Sequence, residues 1–483
     1  MSKQVLGALE PAGVFHFFEE MCAIPHGSGN TKAISDYCVA FAKARGLRCV
    51  QDESNNIVIY QEGTPGYEDH PTVILQGHLD MVCAKEADCP LNMERDGLDL
   101  VVDGDFVRAK GTTLGGDDGI AVAYALAILD DKTIPHPPIE AVFTVDEEIG
   151  LLGAAALDCS VLQGRRLLNC DSEAEGILTV GCAGGARCDM VLPVTVGHGC
   201  GYCFAVKFSG YTGGHSGAEI HQNRGNALKL IGEAIQAVLN CCEAQLMSLT
   251  GGKQDNAIPT EASATLLIPS EERETAFDSL DRWWKEEGDR YGTTDPNGCM
   301  MLSKGGDVCA DAVSVEDTRR CADLLCALPN GVQAMSKDIP GLVETSLNLG
   351  ILRLETDALH ATSSVRSSVK SDLSALIDSL RKLTEDRGGS FSTRGEYPPW
   401  EYRKDSPLRD TMAAIFREQY GKEPVVEAIH AGLECGLFSD RLPGLDCVSF
   451  GPDIIDIHTP REHLSIASTQ RTWKFLLAVL AAL

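Results

Sequence analysis

Along the first part of the chain, short β-branched runs alternate with helical apolar patterns. Thr72–Leu75 (TVIL) and Ile139–Val145 (IEAVFTV) have the length and residue types of buried strands, whereas Ile120–Leu129 (IAVAYALAIL) between them is apolar on most faces of a helix. Strands separated by helices predict an α/β arrangement, a mixed or parallel sheet with helices on both faces. The pattern changes near Gly184–Gly185. Phe204–Phe208 (FAVKF) alternates like a half-exposed strand, and a helix over Asn226–Leu239 places Ala227, Ile231, Ala234, Ile235 and Val238 on one face. A second round follows, with VETSLNLGILRLE at 343–355 as strand material and a helix carrying Val369, Leu373, Leu376, Ile377 and Leu380 on one stripe. This middle region reads as α+β in two similar halves, without a clean sequence repeat. Beyond the turn-rich GEYPPWEYRKDSP the α/β character returns, with Asp446–Phe450 (DCVSF) as a strand and Arg471–Leu483 as a closing helix. The order predicts a domain built from residues 1–186 and 399–483, interrupted by an inserted α+β lid domain at 187–398.

Composition narrows the function classes. The 483 residues include 44% hydrophobic positions, enough for a sizeable core, which excludes a disordered or fibrous chain. The 41 Lys and Arg against 70 Asp and Glu give a formal charge of −29, and no basic run interrupts it. Sequence-independent binding to nucleic acid or to an anionic membrane needs clustered positive charge and is excluded. The opening MSKQVLGALEPAG lacks an apolar stretch of signal-peptide length, and the runs IAVAYALAIL and FLLAVLAAL are too short to span a bilayer. A cytoplasmic location is therefore expected. The 19 cysteines are dispersed and odd in number, so buried or idle thiols in a reducing compartment are expected; Cys200-x-x-Cys203 has no second pair at zinc-finger spacing.

Chemistry concentrates where strands end. Thr72–Leu75 runs into Gly77-His78-Leu79-Asp80, Ile139–Val145 into Asp146-Glu147-Glu148, and Arg166–Cys170 into Asp171. The carboxyl ends of strands line the ligand crevice of an open α/β sheet, so these side chains are expected to converge. A fourth cluster, Gly115-Gly116-Asp117-Asp118-Gly119, opens the helix at Ile120, and His458 follows the 446–450 strand. Carboxylates gathered in this way repel one another unless a multivalent cation neutralises them. Imidazoles with carboxylates suit Zn²⁺, with Mn²⁺ or Co²⁺ as substitutes. Two other chemistries fail on spacing. His215-Ser216-Gly217 looks like part of a nucleophile elbow, but position 218 is Ala where G-x-S-x-G needs Gly. His458 to His463 reads H-x-x-x-E-H, one residue longer than H-x-x-E-H, and H-E-x-x-H is absent, so His463 is expected to be structural.

The ordered set GHLDMV at 77–82, LGGDDG at 114–119, DEEIGLLGA at 146–154, LNCDSEAEG at 168–176, GGHSGAEIHQNRGNA at 213–227, NAIPTEA at 256–262 and GPDIIDIHTPREH at 451–463 resembles the M20 metallopeptidases. Within them it looks most like the bacterial Xaa-His dipeptidases. The resemblance implies a catalytic domain of the zinc-exopeptidase type and two Zn²⁺ per chain, with His78 and Asp171 on one ion, Glu148 and His458 on the other, and Asp117 bridging both. Three protein ligands per ion leave a position open for water or substrate. It further implies Glu147 as general base, Asp80 as acceptor of the His78 ring N–H, and a cis peptide after Asp117. The implied reaction is hydrolysis of Xaa-His and other unblocked dipeptides by metal-bound hydroxide. His215 would help bind the oxyanion. Asn256 and Arg366 would hold the terminal carboxylate of a small peptide substrate, Arg366 being read equally well as a surface arginine at a helix start. A homodimer is expected. Aminoacylase, tripeptidase or carboxypeptidase activity on the same scaffold competes with this reading, as does a metal-binding assembly protein without catalysis, against which the presence of Glu147 and Asp80 counts.

Overall fold

A computed structural model of the chain describes residues 4–483 and shows two compact units. The first runs up to Cys182 and resumes over Tyr402–Ala428 and Leu433–Leu483. Its eight-stranded sheet has the spatial order Arg48–Gln51, Ile57–Gln61, Ile139–Thr144, Val73–His78, Arg166–Asn169, Asp446–Ser449, Ile177–Cys182 and Val425–Ile429. The central pairings are parallel. Those made by Ile57–Gln61 and the contact of Asp446–Ser449 with Ile177–Cys182 are antiparallel, so the sheet is mixed. Val73–His78 and Ile139–Thr144 are buried at every position, which requires cover on both faces.

The helix Gly116–Asp130 is buried at every residue from Ile120 to Leu129, as its all-round apolar pattern predicts. Phe15 and Phe18 of the helix Ala12–Cys22 join the same core, with Leu476 and Val479 of the closing helix Ile466–Ala482. That helix begins at Ile466 rather than Arg471 because the Ser465 hydroxyl caps it, accepting the N–H of Ser468. The first predicted strand is also longer than its apolar run and includes Gly77 and His78, which lie beside Phe143 and Thr144. A four-stranded sheet of Ile454–Ile455, His463–Ser465, Phe106–Ala109 and Leu100–Asp103 completes this unit.

The second unit comprises Ala183–Glu401 and the short return Ile429–Gly432. The predicted 204–208 strand is the interior of Val196–Ser209, which pairs with Ala262–Ile268 on one side and Cys299–Val313 on the other. The two α+β stretches do not form separate halves. Val343–Leu354 pairs with both Gln245–Gly251 and Ala358–Ser367, so they share one nine-stranded sheet. The helices Ala227–Leu239 and Arg273–Glu287 pack a core in which Phe204 meets Phe277 edge to face at 5.3 Å. One expectation about the cysteines is overturned here: Cys200 and Cys309 stand opposite each other on paired strands and form a disulfide. Cys203, an odd number of residues away on the same strand, points to the opposite face and is free. No helix among the described residues is long and apolar enough to cross a membrane.

Candidate active site

The first unit brings the strand-end acids and histidines together. His78 closes its strand, and its Nε2 lies 3.1 Å from Asp117 Oδ1 and 3.5 Å from Asp171 Oδ1. His458 sits on a loop, half-exposed, with Nε2 3.0 Å from Glu148 Oε1 and 3.2 Å from Asp117 Oδ2. Asp117 thus presents one carboxylate oxygen to each imidazole. Donor atoms of His78, Asp118 and Asp171, of His78, Glu147 and Glu148, and of Asp117, Glu148 and His458 each fall within 4.8 Å of one another. The sequence permits this approach at Gly77, where a Cβ would stand 2.6 Å from Asp118 Oδ2 and 2.7 Å from Ala121 Cβ. Without a side chain there, the Asp117–Asp118 turn rests directly on the strand that ends in His78. The Asp117–Asp118 peptide is cis.

Asp80 organises the turn that carries the two glutamates. Its Oδ1 accepts the N–H of Glu147 at 3.0 Å, and its Oδ2 accepts the N–H of Glu148 at 3.3 Å and the Ser28 hydroxyl at 2.8 Å. His78 Nδ1 lies 2.9 Å from the Asp80 main-chain oxygen and 3.5 Å from its carboxylate.

Electrostatically the cluster is short of positive charge. Burial pushes Asp171 up to about 6 and Glu173 up to about 7, and lifts Glu147 well above the usual carboxylate range, with Asp171, Glu434 and Glu148 adding to the rise. Burial opposes charge on His78 as well, yet its hydrogen bonds to Asp117, Asp171 and Asp80 hold the ring proton well above the imidazole range. Bonds to Asp117 and Glu148 raise His458 to about 10. Divalent cations held by these same oxygen and nitrogen atoms would answer both needs, and the donor set fits borderline metals of the zinc type.

The sequence profile of the peptidase family M20/M25/M40 matches residues 74–482. The chain belongs to that family. It is 34% identical to the cytosol non-specific dipeptidase of Escherichia coli over 481 residues, covering 98% of both chains. The crystal structure of aminoacylhistidine dipeptidase from Vibrio alginolyticus superposes with a TM-score of 0.93 at 36% identity, over 99% of this chain and 98% of that one. An aminopeptidase from Bacillus cereus shares the fold, with a TM-score of 0.60 at 15% identity over 98% of each chain. This M20 chain is accordingly a peptide hydrolase of a metallopeptidase family.

The other three candidates of the M20 chain lie in its second unit. His215 Nδ1 accepts the N–H groups of Gly217 at 3.3 Å and Ala218 at 3.0 Å, which leaves Nε2 as the ring donor. Burial lowers its pKa, the Arg366 charge adds to that, and Glu219 opposes it. Arg366 Nη1 donates to Tyr397 Oη at 2.8 Å, and its buried Nε has no hydrogen-bond partner among the described residues. The main-chain oxygen of Asn256 accepts the N–H of Ser216 at 2.8 Å, so the 213–217 and 255–258 loops support each other.

Several contacts around the acids and histidines of this M20 peptidase escape sequence reasoning. Asp118 Oδ2 accepts the His78 N–H at 3.2 Å. Glu434, fully buried and pushed up to about 7 by that burial, accepts from Gln76 Nε2 at 2.5 Å and Thr144 Oγ1 at 2.6 Å. Glu462 lies beneath the Leu114–Asp117 turn. A polar amide inside an apolar strand was the available signal for Gln76, and an acid at an apolar helix start for Glu434. Ser28 and Glu462 carry none.

Proposed function

We propose that this chain is a dinuclear metallo-dipeptidase that hydrolyses Xaa-His and other unblocked dipeptides. The observation that carries the reading is Asp117, whose two oxygens face two separate imidazoles with Asp171 and Glu148 beside them. In this reading His78 and Asp171 would hold one Zn²⁺, Glu148 and His458 the other, and Asp117 would serve both; Mn²⁺ or Co²⁺ would serve as substitutes. When bound, the ions supply the charge that acidifies a water and polarises the scissile carbonyl.

The remaining work falls to the chain. Glu147 takes a proton from the attacking water on its carboxylate and returns it to the departing amine nitrogen. Its burial raises proton affinity, as that role requires, and the Asp80 bond to its N–H fixes where the carboxylate starts. His215 Nε2 is suited to donate to the carbonyl oxygen as it gains charge. Arg366 offers a permanent cation to the substrate carboxylate, with Asn256 shaping the neighbouring loop. The similarity to the two dipeptidases supports the preference for dipeptides.

The test removes metal with a chelator, restores measured equivalents of zinc, and assays β-Ala-His, Gly-His and Leu-Leu beside tripeptides and N-acetyl amino acids. Activity should return as two equivalents bind, with the dipeptides cleaved. Preference for tripeptides or N-acetyl amino acids would overturn the substrate assignment, and activity unaffected by metal removal would overturn the dinuclear site.

A further inference from the structure

Glu462 follows His458 in the same loop, is only 3% exposed, and has both carboxylate oxygens occupied by main-chain donors. Oε2 accepts the N–H of Leu114 at 2.8 Å and of Gly115 at 3.1 Å. Oε1 accepts the N–H of Gly116 at 2.7 Å and, at 3.4 Å, that of Asp117 itself. The left-handed conformation of Gly115, φ 69°, turns these successive N–H groups toward one point, an anion-binding concavity filled by a side chain of the same protein. A Cβ on Gly116 would stand 3.2 Å from Glu462 Oε1, so the turn sits close on the carboxylate. Glu462 has no side-chain cation among the described residues.

The turn has a second anchor on its other side, where Asp118 Oδ2 accepts the His78 N–H. Asp117 lies between the anchors, one oxygen toward each imidazole. Glu462 and His458 share a segment fixed at both ends, because Ile454–Ile455 pairs with His463–Ser465, which pairs in turn with Phe106–Ala109. One anchor therefore ties the Asp117 turn to His78, and the other ties it to the segment bearing His458.

We infer that Glu462 is a positioning residue that sets the Asp117 carboxylate against His458, so that the two metal sites form as a pair. The inference rests on the dinuclear reading above. Glutamine at this position keeps the shape but turns one accepting oxygen into a donor facing N–H donors. Loss of such an outer partner costs about 10–100-fold in metal affinity or activity.

The experiment uses the full chain and its E462Q variant, stripped of metal and titrated with Zn²⁺ against a chromophoric chelator, with kcat and KM measured at each zinc level and folding checked by far-UV circular dichroism. The expected result is an unchanged fold, one of two zinc ions bound about 10–100-fold more weakly, kcat reduced at limiting zinc with KM unchanged, and kcat restored by excess zinc. Wild-type affinity for both ions overturns the inference, whether kcat is normal or is lost beyond rescue by zinc. A wild-type chain that binds fewer than two ions instead defeats the dinuclear reading, independently of E462Q. Should E462Q fail to fold, amide exchange of the metal-free wild type decides. Leu114, Gly115 and Gly116 should be protected, and fast exchange there would overturn the inference.

Discussion

Asp80→Asn probes how one buried carboxylate holds the turn that carries Glu147 and Glu148. Each oxygen of Asp80 serves two neighbours: Oδ1 the Glu147 N–H and the His78 ring, Oδ2 the Ser28 hydroxyl and the Glu148 N–H. Asparagine retains one acceptor. With its NH₂ in place of Oδ2, the Ser28 hydroxyl can rotate and accept, but the Glu148 N–H faces another donor. The amide is neutral in either orientation, but with the NH₂ in place of Oδ1 both the Glu147 N–H and the His78 ring face a donor, so the first orientation costs less. One buried N–H left unpaired costs about 1–3 kcal/mol. If that cost falls on the geometry of the turn, kcat/KM drops roughly 5–150-fold. Steady-state kinetics on a cleaved dipeptide at saturating zinc, with the thermal midpoint as a folding control, measures it. Ser28→Ala is a companion variant, because it removes one hydrogen bond to the same carboxylate, worth about 1.5–3 kcal/mol for a charged acceptor, and orphans no N–H. A folded Asp80→Asn enzyme with wild-type kcat/KM would refute the reasoning.

Two further outcomes follow from buried ionisable groups. Glu147→Gln should lower kcat by about 10²–10⁴ as expected for loss of a general base, while zinc content persists and the thermal midpoint holds or rises, since burial disfavours the charged carboxylate it replaces. Near-normal turnover would remove Glu147 from the proposed mechanism. In the second unit, burial and the nearby Arg366 charge hold His430 down to about 3 against an ordinary value of 6.5. The unfolded chain binds a proton there between those values and the folded chain does not, so stability is full above 6.5 and falls with pH toward 3, by up to about 1.4 kcal/mol per pH unit. Buried His26 and His136 are lowered too and act in the same direction, so His430→Gln should flatten the acid slope of the melting temperature only in part; an unchanged slope would show that His430 titrates normally.

Hydrophobic periodicity by itself determined the type of most elements. The all-round apolar helix at 120–129, the buried runs at 139–145 and 446–450, and the amphipathic helix at 227–239 all stand where the pattern places them, because local burial leaves a local trace. The motif order also gave the M20 family, and with it a set of residues that the strand ends of the first unit bring together. Tertiary structure alone decided how those residues are held. Asp80 is legible as an acid near a histidine, but its grip on the N–H groups of Glu147 and Glu148 spans 67 and 68 residues. Glu462 reaches Leu114 across 348 residues, and Gln76 reaches Glu434 across 358. The Cys200–Cys309 bond depends on the register of two strands rather than on the nearby Cys203, and the joining of two α+β stretches in one sheet depends on which edges meet. A main-chain N–H is the same donor at every position other than proline, so the sequence does not mark which distant carboxylate will receive it. Periodicity records which side of an element is buried, and only the folded chain decides what lies on that side.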